Sequence, residues 1–335
     1  MIGQLVSAVR RISMLAAALA GIASGGVAMA QSELEGLVQG KVIRLVVPYS
    51  PGGTTDVLAR LLAEFLSAQT GVTLVVDNRP GANGSIGTEL VARAAPDGRT
   101  LLLSGQATHS ANPYLVANLG YRPLQDFAPI AMLGSVTNVL VVNPALPVND
   151  VREFVAYAKA NRGKVNFSHA GVGSSMSLAA ELFKVHTGVE LASIPYKGTG
   201  PALAAVLAGE VQCMFPNTQA AVSQIKAGKL RALGVTSPTA DTLLPGVQPI
   251  AVQTGGSYVL NTWFGLFAPA KSPDRLVELL NAEVNRMYER PEVKSRLAVL
   301  GIVSEPMRPA AFADYVRRDN EATGTLIRAA NLKPD

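Results

Sequence analysis

Three glycine-bearing loops hold the residues best suited to chemistry in this 335-residue chain. The first is Pro48-Tyr49-Ser50-Pro51-Gly52-Gly53-Thr54-Thr55-Asp56. Gly52 and Gly53 let the backbone come close to a ligand, and Thr54 and Thr55 add hydroxyl donors. A helix is predicted to follow, whose free N–H groups and positive dipole end suit a carboxylate or phosphate. The plainer reading of the same residues is a turn with a helix cap. Asp56 fits a helix N-terminus, or it orients the loop beside an anion it would otherwise repel. The second loop, Gly81-Ala82-Asn83-Gly84-Ser85-Ile86-Gly87, also precedes a helix. The third, Gly171-Val172-Gly173-Ser174-Ser175-Met176, follows a predicted strand. It meets the first two glycines of a dinucleotide fingerprint and fails at the third, where Met176 stands. No nicotinamide or flavin cofactor is therefore expected. If each half of the protein gave one such loop, a small acid would be gripped from both sides.

No catalytic constellation assembles. Asn83-Gly84-Ser85-Ile86-Gly87 resembles a nucleophile elbow but has Asn where the first glycine belongs. No serine is accompanied by a His and an acid in the expected chain order. Ala227-Gly228-Lys229-Leu230 lacks the glycine spacing and the hydroxyl of a Walker loop. His169, beside the third loop, either packs or donates to a ligand. The one cysteine, Cys213, excludes a disulfide scaffold or a multi-thiolate metal site, and reads as a small buried hydrophobe. Three histidines, His109, His169 and His186, leave little for zinc or haem, so no metal is expected.

The elements that must position these loops alternate strand and helix. Ahead of them, Arg10-Arg11, the apolar run from Ile12 to Ala23 and Ala28-Met29-Ala30 read as an export signal over residues 1–30, cleaved before Gln31. Ser13, Ser24, Gly25 and Gly26 dilute the run too much for a membrane anchor. With Arg10 and Arg11 removed, the formal charge of +5 falls to +3, unclustered, and nucleic acid is not a partner. Hydrophobic residues at 48% and charged residues at 16% exclude disorder. Val42 to Val47 is an apolar run expected of a strand buried on both faces. Leu58, Leu61, Leu62, Phe65 and Leu66 fall on one helical face. Strands are predicted at 73–76, 100–103, 165–168, 191–195, 211–215 and 230–235, with helices between, which argues parallel βαβ units. Asp150 with Glu153 predicts a capped helix, and Ser272-Pro273-Asp274 predicts another with Ser272 as its cap. Two extended stretches, 127–144 and 258–269, read as strands crossing between two α/β lobes. The first lobe is then discontinuous, over residues 41–140 and 256–335, and the second covers 141–255. One large doubly wound sheet is the alternative.

The residues resemble the extracytoplasmic solute receptors of tripartite tricarboxylate transporters, the Bug family, over residues 41–330. Val47-Pro48-Tyr49-Ser50-Pro51-Gly52-Gly53-Thr54-Thr55-Asp56-Val57-Leu58-Ala59-Arg60 is similar to the first-loop motif. Val76-Asp77-Asn78-Arg79-Pro80-Gly81-Ala82-Asn83-Gly84, Pro96-Asp97-Gly98-Arg99-Thr100-Leu101, Ala179-Ala180-Glu181-Leu182-Phe183, Pro195-Tyr196-Lys197-Gly198 and Gly228-Lys229-Leu230-Arg231 match further motifs in order. The resemblance implies a type II periplasmic-binding-protein fold, two α/β lobes joined by two crossing strands that act as a hinge around a ligand cleft. It implies a carboxylate ligand and no catalytic residues. Gly52, Gly53, Thr54, Thr55, Asp56 and Asn83 are then contacts from the first lobe; Gly171, Gly173, Ser174 and Ser175 are contacts from the second. Thr108 and Asn217 join them by their places at strand ends. Ser177 stands where relatives often carry His. With Met176 and Phe215 near the cleft, an aromatic or less polar acid is a candidate ligand beside citrate-like acids and amino acids.

The function expected is that of a monomeric periplasmic receptor that closes on a small organic carboxylate. It would deliver this ligand to the large and small membrane subunits of a tripartite tricarboxylate transporter. A sensor signalling to a membrane kinase, or a secreted enzyme using the same cleft, are the alternatives.

Overall fold

The computed structural model describes Gly36 and residues 42–332, so the export segment over residues 1–30 lies outside the described residues. Parallel βαβ units form where the apolar runs predicted them. Strand β1 (Val42–Val47) is followed by α1 (Thr54–Thr70), β2 (Thr73–Asn78), α2 (Ser85–Ala92) and β3 (Thr100–Gly105). A π-turn at Ala107–Ala111 runs into the short α3 (Asn112–Leu115). Strand β4 (Phe127–Thr137) then completes the first half of the extended stretch.

At Asn138 the chain changes sheet. Strand β5 (Val139–Val142) opens a second series: α4 (Val151–Ala160), β6 (Asn166–His169), α5 (Ser175–Thr187), β7 (Ala192–Pro195), α6 (Thr199–Leu207), β8 (Cys213–Met214), α7 (Thr218–Lys226) and β9 (Arg231–Val235). After α8 (Ile250–Thr254), strand β10 (Asn261–Pro269) returns to the first sheet. Helices α9 (Asp274–Met287), α10 (Pro291–Val299) and α11 (Pro309–Ala329) finish the described chain.

Two five-stranded sheets result, in the orders β2-β1-β3-β10-β4 and β7-β6-β8-β5-β9. The single-sheet alternative is thereby replaced by a two-lobed type II periplasmic-binding-protein architecture. In each sheet the crossing strand is the antiparallel member: β10 between β3 and β4, and β5 between β8 and β9. Val139 and Leu140, expected in the first lobe, pair with β9 in the second sheet, because the chain switches sheets at Asn138.

Helices cover both faces of each sheet, so the central strands β1 and β3 read as nearly continuous apolar runs. Ile43, Leu45 and Val47 of β1 pack with Leu58, Leu61 and Leu62 of α1 and with Leu276 and Leu280 of α9. Val46 points the other way, into a cluster with Trp263, Phe267 and Phe312. The second sheet is buried between Phe154, Phe183 and Ile250 on one face and Ala202, Val206 and Ala221 on the other. Ala111, Leu115 and Ile327 join the second core, so the π-turn, α3 and α11 form a shelf between the lobes.

Two caps illustrate local sequence logic. Asp150 accepts from the Glu153 N–H at 2.8 Å, as the spacing predicts. Ser272 does not cap α9: the helix begins at Asp274 after Pro273, and the Ser272 hydroxyl is buried without a partner among the described residues. Cys213 is fully buried, and burial pushes its thiol pKa up, in keeping with a hydrophobe. Among the described residues no helix is long and apolar enough to cross a membrane.

His109 lies in the π-turn, fully buried and stacked on Phe267 at 4.0 Å between ring centroids. Its Nε2 has no partner among the described residues, and burial pushes its pKa down to about 3. The unfolded chain, with a value near ~6.5, takes up this proton first. The stability held by neutral His109 is thus intact above pH ~6.5 and declines as pH falls toward about 3. Urea denaturation across that window should show a falling midpoint, and His109→Phe should flatten the decline.

Candidate ligand-binding cleft

The loop after β1 owes its shape to Asp56. Its carboxylate, buried in the first turn of α1, accepts the Gly52 N–H at 2.9 Å, both Arg60 guanidinium contacts at 3.0 Å and the Asn78 amide at 3.0 Å. Asn78 also donates to the Tyr49 carbonyl. The Asp77-Asn78-Arg79 segment at the end of β2 therefore braces the first loop from its neighbour. Burial alone would raise the Asp56 pKa, but hydrogen bonds from Arg60, Gly52 and Asn78 together hold it below the ordinary carboxylate value. Gly52 has φ +87°, a left-handed conformation that suits glycine. Gly53 caps α1 with no side-chain hydrogen bond, which leaves the helix end for a ligand.

The loop after β6 is built in the same way from different residues. Ser174 caps α5 by accepting from the Ser177 N–H, and donates its own hydroxyl to the Gly171 carbonyl at 2.7 Å. His169 braces it from below: its Nδ1 accepts the Gly171 N–H at 3.1 Å while Nε2 pairs with Ser193. Burial lowers its pKa, so it serves as a neutral support under the loop. Gly173 has φ +79° and lies so near the first lobe that a Cβ there would come within 2.8 Å of Leu115.

A cleft of about 460 Å³ opens between the lobes at the C-terminal ends of the parallel strands, where ligands of open α/β sheets bind. From the first lobe it is lined by Tyr49 and Gly52–Thr55 after β1, Asn83 after β2, and Gly105–Ala107 at the end of β3. The second lobe gives Ala170, Ser174 and Ser175 after β6, Thr199 after β7, and Asn217, Gln219 and Ala220 after β8. Thr262, Trp263 and Phe264 of β10 close the floor. The N-termini of α1, α5, α6 and α7 all meet this space, and among the described residues no Lys, Arg, His, Asp or Glu lines it. Four helix N-termini present partial positive charge and backbone donors, which suits an anion held without a cationic side chain. Among the described residues no group of three His, Cys, Asp or Glu is placed to hold a metal.

The profile of the tripartite tricarboxylate transporter family receptor (TctC) matches residues 58–332. The chain belongs to this receptor family. BugT of Bordetella pertussis is 37% identical over 281 residues, which cover 82% of this chain and 86% of BugT. The R. palustris protein Rpa4515, solved with adipate, superposes with a TM-score of 0.80 at 32% identity, over 88% of this chain and 98% of that one. MatC from Rhodopseudomonas palustris, solved with bound malate, gives 0.75 at 32% identity, over 85% and 98%.

In this family member, Gly52, Gly53, Thr54, Thr55, Asn83, Ser174, Ser175 and Asn217 come together on the cleft wall. Four other expected contacts lie behind it. Asp56 faces its own loop, so its place at the helix N-terminus is that of a brace. Thr108 is fully buried in the π-turn, with its hydroxyl on the Gly105 carbonyl; Gln106 and Ala107 take the wall instead. Gly171 and Gly173 shape the second loop without lining the cleft. Met176 and Phe215, expected near the cleft, are buried in the second lobe's cores, which removes the ground for an aromatic ligand. The wall residues that sequence reasoning missed are Gln106, Thr199, Gln219, Thr262 and Phe264 in the main. Gln106 follows the end of β3, Thr262 and Phe264 lie in the first residues of β10, and Thr199 and Gln219 lie in the first turns of α6 and α7, so position at an element end was the available signal.

Replacing Asp56 by Asn tests the brace. The variant should lose about 2 kcal/mol of stability at neutral pH, since Gly52, Arg60 and Asn78 lose a charged acceptor. The folded-state pKa lies below the unfolded one, so this stability is present above pH ~4 and is lost as pH falls through the folded value. Urea midpoints of the two proteins should therefore converge in acid.

Proposed function

We propose that the chain is a periplasmic receptor that captures a small organic carboxylate by lobe closure and delivers it to the membrane subunits of a tripartite tricarboxylate transporter. The observation that carries this reading is the cleft itself: four helix N-termini from two lobes surround a space that no charged side chain of the described residues lines. A ligand with a carboxylate at one end and an aliphatic or hydrogen-bonding remainder matches that lining. Relatives solved with adipate and malate support the same class. Gly52–Thr55, Asn83 and Gln106 meet the ligand from the first lobe; Ser174, Ser175 and Asn217 meet it from the second. The lobes we assign are residues 42–137 with 261–332, and 139–259, whose core includes Ile250 and Tyr258, moving about Asn138 and Leu260. The reading includes export by residues 1–30, action as a monomer, and no catalytic step.

A thermal-shift screen tests it. Protein beginning at Gln31 would be unfolded, stripped and refolded, then mixed with citrate, malate, adipate, amino acids, nicotinate and aromatic acids. An acid at ~100 times its dissociation constant adds ~2.7 kcal/mol of stability, which reads as a clear rise in Tm. One aliphatic acid standing out is the expected result. No response from any acid would overturn the carboxylate reading.

A further inference from the structure

Behind the cleft floor lies a second pocket of about 340 Å³, between β10 and α11. Gln106 lines both spaces and so forms part of the wall between them. On the far side stands Asp319 of α11. Its Oδ2 accepts from the Ser110 hydroxyl at 2.5 Å and from the Trp263 indole N–H at 2.7 Å, and the Gln106 side chain lines the same pocket, near enough to favour the charged carboxylate. Ser110 and Trp263 are fully buried and Gln106 nearly so. No ion pair among the described residues includes Asp319; neighbouring Arg317 pairs with Asp314 and Glu321.

A largely buried carboxylate with no cation is costly, and an apolar side chain would be cheaper if only packing mattered. Its negative charge also stands behind a cleft suited to anions, where on Coulombic grounds alone it weakens binding. What a carboxylate provides, and an amide does not, is acceptors only. It can align the Ser110 and Trp263 donors at once, with Gln106 beside them, and these residues come from two elements at the cleft: the β3 end with its π-turn, and β10.

We propose that Asp319 is a positioning residue for the ligand cleft, holding Gln106 and Trp263 in their binding geometry from behind without touching the ligand. The proposal rests on the receptor reading above and adds a residue that lies outside the cleft.

Asp319→Asn separates this role from the alternatives. The variant turns an N–H toward Ser110, Trp263 or Gln106, so adipate and malate should bind about tenfold more weakly by calorimetry. Gln106→Leu should cost a similar factor, and the double variant should be no weaker than the weaker single one. Affinity equal to or tighter than wild type in Asp319→Asn, the Coulombic outcome, would overturn the proposal. So would single effects that simply multiply. If Asp319→Asn does not fold, Gln106→Leu decides alone: unchanged adipate affinity refutes the link.

Wild-type protein that binds neither acid counts against the receptor reading and leaves a separate readout for this one. Trp263 is the chain's single tryptophan, so its indole N–H gives one resolved NMR resonance. Gln106→Leu should shift that resonance in the wild-type background and not in Asp319→Asn. Equal shifts in both backgrounds would refute the proposal.

Discussion

The two lobes meet at one buried asparagine, and both the crossing of the chain and the cleft wall depend on it. Asn138 is fully buried between β4 and β5. Its N–H donates to the Thr236 hydroxyl at 3.0 Å, and its carbonyl accepts the Thr236 N–H at 2.9 Å. Thr236 in turn exchanges hydrogen bonds with Leu260, just before β10 begins. The outgoing and returning segments are thereby stitched side by side. The Asn138 amide donates to the Phe215 carbonyl at 2.6 Å, while its oxygen accepts from Asn217 and Thr262. Asn217 and Thr262 both line the cleft. Each buried group left unpaired here would cost about 1–3 kcal/mol, so the knot holds only as a complete set.

From that junction the electrostatics of the cleft follow. With strands of both sheets ending at the interface, the helices that succeed them begin there, and their positive ends converge. No arginine is needed to attract a carboxylate. A desolvated guanidinium would carry its own burial cost whenever the cleft emptied, whereas helix ends keep most of their backbone bonds either way. The charged residues near the cleft do structural work instead. Asp56 turns inward to Gly52, Arg60 and Asn78, and Asp319 turns to Ser110 and Trp263 from behind the wall.

Local features were legible in the sequence, and tertiary ones were not. The strand at Val42–Val47, the helical face of Leu58 to Leu66 and the Asp150 cap are set by residues within a few positions of one another, and each appeared where its pattern predicted. The glycine loops after β1 and β6 were readable for the same reason. Thr108 was misplaced because the π-turn after β3 sets Gln106 and Ala107 on the cleft and carries Thr108 into the interior. Met176 was misplaced because α5 turns its second residue into the core directly after its cap. Asn138 left no signal inside an extended run, since its partners lie 37 to 124 residues away in the chain.

The two sheets carry the same strand order once each is renumbered from its own first parallel strand. β1, β2 and β3 with β10 and β4 correspond to β6, β7 and β8 with β5 and β9. In each sheet the antiparallel strand is the one the chain forms directly after crossing from the other lobe, so neither sheet is complete without the crossing. The loops after β1, β2 and β3 thus face those after β6, β7 and β8 across one space. A ligand in that space draws on two half-sites of like design. On the proposed reading, its full binding free energy would be reached only when both half-sites meet it, and that differential would shift the population toward closure.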